Sequence, residues 1–108
     1  LTSSSYFVFY RIQSLFFFSF IQQVVVFSKS YCPFCTKTKD LFTEMGVDFV
    51  VHEMDEMGDD GPDLQMALMK ITGQKSVPNV FVKQQHIGGN DDTQAAAKAG
   101  KLKELLGI

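Results

Sequence analysis

The chain has no tryptophan, three prolines and only two cysteines in its 108 residues. Two thiols cannot build the multi-bridge framework of a small secreted scaffold, which carries four, six or eight. They also stand close together, at Cys32 and Cys35. Closing so short a loop removes little entropy from the unfolded chain, so a stabilising staple is disfavoured. A reducing, cytoplasmic compartment is expected instead. A basic excess is missing too. Ten Lys and Arg stand against twelve Asp and Glu, for a net charge of −2, and nucleic acid is not an expected partner. Repeats, linkers and low-complexity tracts are absent from the sequence. With 45% hydrophobic residues, one domain with its own core is expected.

What is abundant lies near the start. Residues 6–27 are strongly apolar, but Arg11, Gln13, Gln22 and Gln23 interrupt them. A membrane span needs about 20 predominantly apolar residues, and a signal peptide opens on a basic region that "LTSSS" does not supply. Residues 1–23 are therefore read as an atypical apolar segment: a first helix of the fold, or targeting or foreign residues. A secretory or membrane-associated location through residues 6–27 is the alternative to the cytoplasm.

From residue 24 the pattern becomes regular. "VVVF" (Val24 to Phe27) is β-branched without alternation, as in a strand buried on both faces. A helix opens at Cys32-Pro33, where proline's missing N–H costs nothing. Cys35, Thr38, Leu41, Phe42 and Met45 mark its inner face, and Gly46 ends it. Val47 to Asp55 reads as a second strand. A further helix starts near Pro62, with Leu64, Ala67, Leu68 and Ile71 as its buried stripe, and closes at Gly73. Asn79 to Gly88 reads as a hairpin. Asp91 and Asp92 lead into a last helical region in which Ala95, Ala96, Ala97, Leu102, Leu105 and Leu106 pack on the sheet, and Gly100 bends it. Strand, crossover helix, strand demands a parallel, right-handed unit, and the hairpin adds antiparallel strands. The cysteines then fall at the C-terminal end of the first strand, where ligands meet an open α/β sheet.

A structural zinc site needs four ligands, usually two close pairs. Beyond the cysteines only His52 and His86 offer nitrogen, far apart in sequence and in separate elements, so a metal site is not expected. Redox chemistry fits better. Cys32 stands at a helix N-terminus, whose free N–H groups and dipole favour a thiolate, and Lys29 adds a positive charge three residues upstream. Cys35 lies one turn on, on the same face, with fewer free donors, so it should keep its proton until needed. Cys32 attacks and Cys35 resolves. Pro33 stiffens the turn and Phe34 projects outward.

"CPFC" resembles the active site of dithiol glutaredoxins. Thioredoxins, with a tryptophan before a CGPC core, are a poorer match. The resemblance runs over residues 24–108 as one domain and implies an α/β, thioredoxin-like fold, a small mixed four-stranded sheet flanked by helices on both faces. Three more segments carry it. "LQMALMKITG" resembles the family helix whose glutamine faces a glutathione carboxylate, here Gln65. "SVPNVF" is similar to the segment with a cis proline opposite the active cysteine, here Val77 and Pro78. "GGNDD" resembles the loop that holds the γ-glutamyl end of glutathione, here Gly88, Gly89, Asp91 and Asp92. Taken singly, these read as a solvated glutamine, a trans loop proline, and a turn whose aspartates cap a helix.

The resemblance implies a glutathione-dependent thiol–disulfide oxidoreductase that reduces protein disulfides and glutathione mixed disulfides, in electron transport and cell redox homeostasis. Glutathione is its co-substrate and no metal is expected. Its partners are glutathione and glutathionylated or disulfide-containing proteins, and a monomer is expected. The glutathione contacts would be Lys29, Phe34, Gln65, Val77, Pro78, Gly89, Asp91 and Asp92. An alternative is iron–sulfur cluster carriage by Cys32 and glutathione in a dimer, which Pro33 and a resolving Cys35 disfavour.

Overall fold

A computed structural model describes residues 23–108. The readings of the apolar segment before Val24 lie outside the described residues, except at Gln23, whose carbonyl accepts the Lys83 N–H at 2.7 Å. Strand β1 (Val24–Ser28) is buried along its whole length. Helix α1 (Pro33–Met45) follows, then β2 (Val50–Glu53) with a 3-10 turn at Met54–Glu56, and α2 (Asp60–Thr72). Strands β3 (Asn79–Val82) and β4 (Gln85–Gly88) form the hairpin, and α3 (Asn90–Lys98) and α4 (Lys101–Leu106) end the chain. Among the described residues no helix is long and apolar enough to cross a membrane.

The sheet has the order β2-β1-β3-β4. β1 runs parallel to β2 and antiparallel to β3, so it has hydrogen-bonded neighbours on both sides. That central position explains its lack of alternation. Both of its faces are covered. Val24 and Val26 join Phe42 of α1, Val80 and Val82 of β3, and Leu102 and Leu106 of α4 in one cluster. Val25 and Phe27 point to the opposite face, with Met54, Leu64 and Leu68. Full burial of side chains such as Phe27 and Phe42 is worth about 1.5–3 kcal/mol each.

Local signals set the helix ends. Pro33 opens α1, and Gly46 closes it in the left-handed region (φ 70°), its N–H reaching the Phe42 and Thr43 carbonyls. At Gly100 (φ 76°) the last helical region divides into α3 and α4.

Helix α2 starts two residues before Pro62, near that proline as expected. Three readings need correction. The second strand is shorter than Val47–Asp55: Val47 and Phe49 pack against the core without pairing, and Met54 has already entered the 3-10 turn. Ile71 is 63% exposed: the buried stripe of α2 ends at Leu68, and its last turn is held through Thr72 to Gln74 and Asn79 instead. Ala95 is exposed, and Ala96 and Ala97 alone of the three pack on the core.

Candidate functional site

The fold carries Cys32 to the N-cap of α1, just beyond the buried end of the central strand. Its φ and ψ (−88°, 117°) are extended, and its Sγ accepts the Cys35 N–H at 3.2 Å. The sulfur thus takes the place that a serine or aspartate oxygen occupies in ordinary caps, against one of the unpaired donors of the first turn. The Cys32 N–H closes the preceding loop on the Lys29 carbonyl at 3.1 Å. Both thiols are free; Cys32 is half-buried and Cys35 fully buried.

The two sulfurs have different surroundings. Burial pushes the Cys35 thiol up, and the neighbouring Cys32 side chain adds to the effect. The Lys29 amide and the Ser28 hydroxyl pull weakly the other way. Cys35 therefore stays protonated at neutral pH.

Opposite Cys32 lies the loop between α2 and β3. The Val77–Pro78 peptide is cis, and the Cys32 thiol faces the Val77 carbonyl at 3.9 Å. Gly89, the N-cap of α3, stands against this loop: a Cβ there would lie 3.7 Å from the Pro78 carbonyl. Cys32, Val77, Pro78 and Gly89 are thus brought together from three segments.

Lys29 and Gln65, with Tyr31, Asp55, Gly61 and Pro62, line an open groove of about 260 Å³. Gln65 donates to the Lys75 carbonyl at 2.8 Å, tying α2 to the loop. Asp55 accepts the Ser30 N–H at 2.8 Å and also the Ser30 hydroxyl. Those two bonds, with a smaller contribution from the Lys29 charge, hold its carboxyl below the usual range. Phe34 is 54% exposed, with the Lys37 ammonium 5.3 Å from its ring centre.

The aspartates differ from expectation. Asp91 and Asp92 sit exposed in the first turn of α3, and neither caps it; the helix has no side-chain cap. Thr93 hydrogen-bonds the Gly89 carbonyl at 2.7 Å instead. The Asp92 carboxylate folds over Gly88, where a Cβ would come within 2.4 Å of its Oδ2, and its charge bears on His86. Neither histidine joins the cysteines. His52 stacks on Phe27 at 5.3 Å, and His86 packs on Phe81 at 5.3 Å.

Several residues of the site went unnoticed in the sequence. Gln74 donates to the Ser76 carbonyl at 2.9 Å and to the Pro78 carbonyl at 2.8 Å, spanning the cis bond from behind. Thr72 accepts from the Gln74 N–H and from Asn79 Nδ2. Gly61 allows the start of α2 to lie on the 3-10 turn, where a Cβ would meet the Met54 carbonyl at 1.9 Å.

A cysteine pair at a helix start, beside a cis proline and at the end of the central strand of a mixed sheet, defines a dithiol protein of the thioredoxin-like fold. The glutaredoxin family model matches residues 24–87, and the chain belongs to the glutaredoxin family of oxidoreductases. Glutaredoxin-C6 of Oryza sativa subsp. japonica is 54% identical over 83 residues, which cover 77% of this chain and 73% of that one. A glutaredoxin of Vernicia fordii is 52% identical, covering 77% of this chain and 79% of its own length. Among solved structures, the buckwheat glutaredoxin–glutathione complex superposes with a TM-score of 0.87 at 36% identity, over 99% of this chain and 94% of that one. Wheat glutaredoxin gives 0.82 at 49% identity, over 89% and 90%.

Proposed function

We propose that the chain reduces glutathione mixed disulfides and protein disulfides with glutathione as co-substrate, Cys32 being the nucleophile and Cys35 the resolving thiol. One observation carries the assignment of roles: the half-buried Cys32 sulfur accepts an N–H of the first helical turn, whereas the Cys35 sulfur is fully buried. In the first reaction the Cys32 thiolate attacks the glutathione sulfur of a glutathionylated protein. The Cys32–glutathione disulfide forms and the protein leaves as a thiolate. A second glutathione thiolate then attacks the bound glutathione sulfur, giving oxidised glutathione and freeing Cys32. With a protein disulfide, Cys32 forms the mixed disulfide and Cys35, once deprotonated, attacks the Cys32 sulfur. The substrate thiol leaves, and two glutathiones reduce the resulting Cys32–Cys35 bridge. Potentials near −200 to −230 mV, typical of the family, suit reduction by the glutathione pool.

Glutathione carries two carboxylates and an ammonium. Lys29 and Gln65 line one open groove, the Val77 carbonyl faces the Cys32 sulfur, and Gly89, at the start of the helix that carries Asp91 and Asp92, stands against the Pro78 carbonyl. Phe34 flanks the site at the surface. These groups support binding of the tripeptide across the cleft, and the buckwheat relative is seen in complex with glutathione. We read the chain as acting as a monomer. A dithiol maintained by glutathione suits a reducing compartment, the cytoplasm in our reading, and a place in redox homeostasis. The buried Cys35 behind Cys32 favours this chemistry over iron–sulfur cluster carriage. Glutathione-coupled disulfide reduction by the chain is the test, with Cys32→Ser expected to abolish turnover.

A further inference from the structure

Strands β1 and β2 pair in parallel from Val25 opposite Val50 to Ser28 opposite Glu53. Beyond Glu53 the chain enters the 3-10 turn, and beyond Ser28 it enters the loop that leads through Lys29 to Cys32. The main-chain ladder ends there, and a side chain prolongs it in the same register. Asp55, two residues past Glu53, meets Ser30, two residues past Ser28. Its Oδ1 accepts the Ser30 N–H at 2.8 Å, and its Oδ2 accepts the Ser30 hydroxyl. Both carboxylate oxygens thus serve one residue, giving its amide the partner that the strand no longer supplies. Ser30 lies inside the turn that the Cys32 N–H closes on the Lys29 carbonyl at 3.1 Å. Lys29, next to Ser30 in the chain, lines the groove together with Gln65 and Asp55 itself. The nucleophile at the far end of the loop has an anchor of its own, the Cys35 N–H on its sulfur. Loosening Ser30 therefore bears on Lys29 more than on Cys32.

We propose that Asp55 is a positioning residue for glutathione: by clamping Ser30 to the end of β2 it holds Lys29 where its ammonium meets a glutathione carboxylate. The inference rests on the glutaredoxin reading above. It gives a role to a residue whose charge alone would oppose that reading. A carboxylate in a groove for an anionic tripeptide repels the ligand, and Asp55 lies near enough to feel the Lys29 charge. Acting only as a charge, Asp55 weakens glutathione binding. Acting as a clamp, it strengthens binding through the loop. Its removal separates the two, because they call for changes of opposite sign.

The test is steady-state reduction of a glutathionylated peptide, with glutathione varied, by the full chain, Ser30→Ala, Ser30→Thr, Asp55→Ala and the Ser30→Ala/Asp55→Ala double variant. Loss of the hydroxyl bond in Ser30→Ala is expected to raise KM for glutathione about two- to tenfold. Asp55→Ala, which loses both bonds, should raise it further. The value of kcat is expected to hold in each, as for an interaction that serves binding alone. Adding Ser30→Ala to Asp55→Ala should change nothing more, since the hydroxyl acts only through the carboxylate. Ser30→Thr keeps the hydroxyl and should keep the unaltered KM. A KM that falls in Asp55→Ala makes the carboxylate a repelling charge and overturns the proposal. An unchanged KM overturns it too, as does a double variant whose loss is the product of the single losses, or a Ser30→Thr chain as impaired as Ser30→Ala. Should Asp55→Ala fail to fold, Ser30→Ala against Ser30→Thr decides alone. Absence of glutathione-dependent turnover in the unaltered chain would instead refute the glutaredoxin reading, and the inference with it.

Discussion

The Cys35 amide donates to the Cys32 sulfur at 3.2 Å, so the backbone of the resolving residue is the donor that caps the attacking one. The two cysteines are thereby made unequal by a single turn of helix. One sulfur is half-buried and accepts that first-turn N–H. The other is sealed behind it and held protonated by burial.

That inequality is expected to appear as a difference in alkylation. At pH 7 iodoacetamide should modify Cys32 first, and Cys35 only when the chain is unfolded or when the pH approaches and passes the ordinary thiol value of 9.0, from which burial raises it. Peptide mass mapping after timed quenches checks the order. Simultaneous labelling in the folded chain would contradict it.

The variants at the two cysteines should separate by substrate. Cys32→Ser is expected to lose both activities. Cys35→Ser is expected to retain reduction of glutathione mixed disulfides while losing reduction of protein disulfides that need resolution. Steady-state turnover with a glutathionylated peptide and with a disulfide-bonded protein makes the comparison.

Gly61→Ala places a methyl group on the Met54 carbonyl, backbone against backbone, with no flexible side chain to yield. Overpacking of this kind costs about 1–3 kcal/mol. For a chain of this size that lowers Tm by about 4–8 °C per kcal/mol. Thermal unfolding followed by circular dichroism reads it directly. An unchanged Tm would mean that the start of α2 is free to shift.

Gln74→Ala removes the two hydrogen bonds that span the cis peptide and leaves the carbonyls of Ser76 and Pro78 without those donors. Two such bonds contribute about 1–3 kcal/mol net. The expected result is lower stability together with a raised KM for glutathione, since the Val77 main chain that faces Cys32 loses its support.

His52 gives the stability a pH dependence. Burial lowers its folded value below 6.5, so the folded chain holds the ring neutral. The unfolded chain binds the proton more readily, and stability, full above about 6.5, falls as the pH drops through that value toward the folded one. His86 shifts in the same direction, mainly by burial, with Asp92 opposing. His52→Phe is therefore expected to reduce the slope of stability between pH 7 and 5 without removing it. Urea unfolding at a series of pH values measures the slope.

Much of the fold was legible because its signals are local. Val24 to Phe27 lacks alternation because neighbours and helices surround it, and Pro33 and Gly46 bound their helix by backbone geometry alone. Ile71 was misread because the stripe of Leu64 and Leu68 was extended into a last turn that meets a loop. Asp91 and Asp92 were misread as caps because the sequence shows a helix start without showing that Gly89 already occupies the cap. The cysteines announced themselves by spacing. Gln74 did not, because its role depends on a side chain folding back over a cis bond, and no spacing encodes that.

The division of labour between the cysteines is tested most directly by finding which sulfur first carries glutathione. The unaltered, reduced chain is mixed with oxidised glutathione, quenched in acid within milliseconds, digested and mapped by mass. Glutathione should be found on Cys32, giving way over time to the Cys32–Cys35 bridge. Glutathione on Cys35, or on both cysteines alike at the shortest times, would contradict the account.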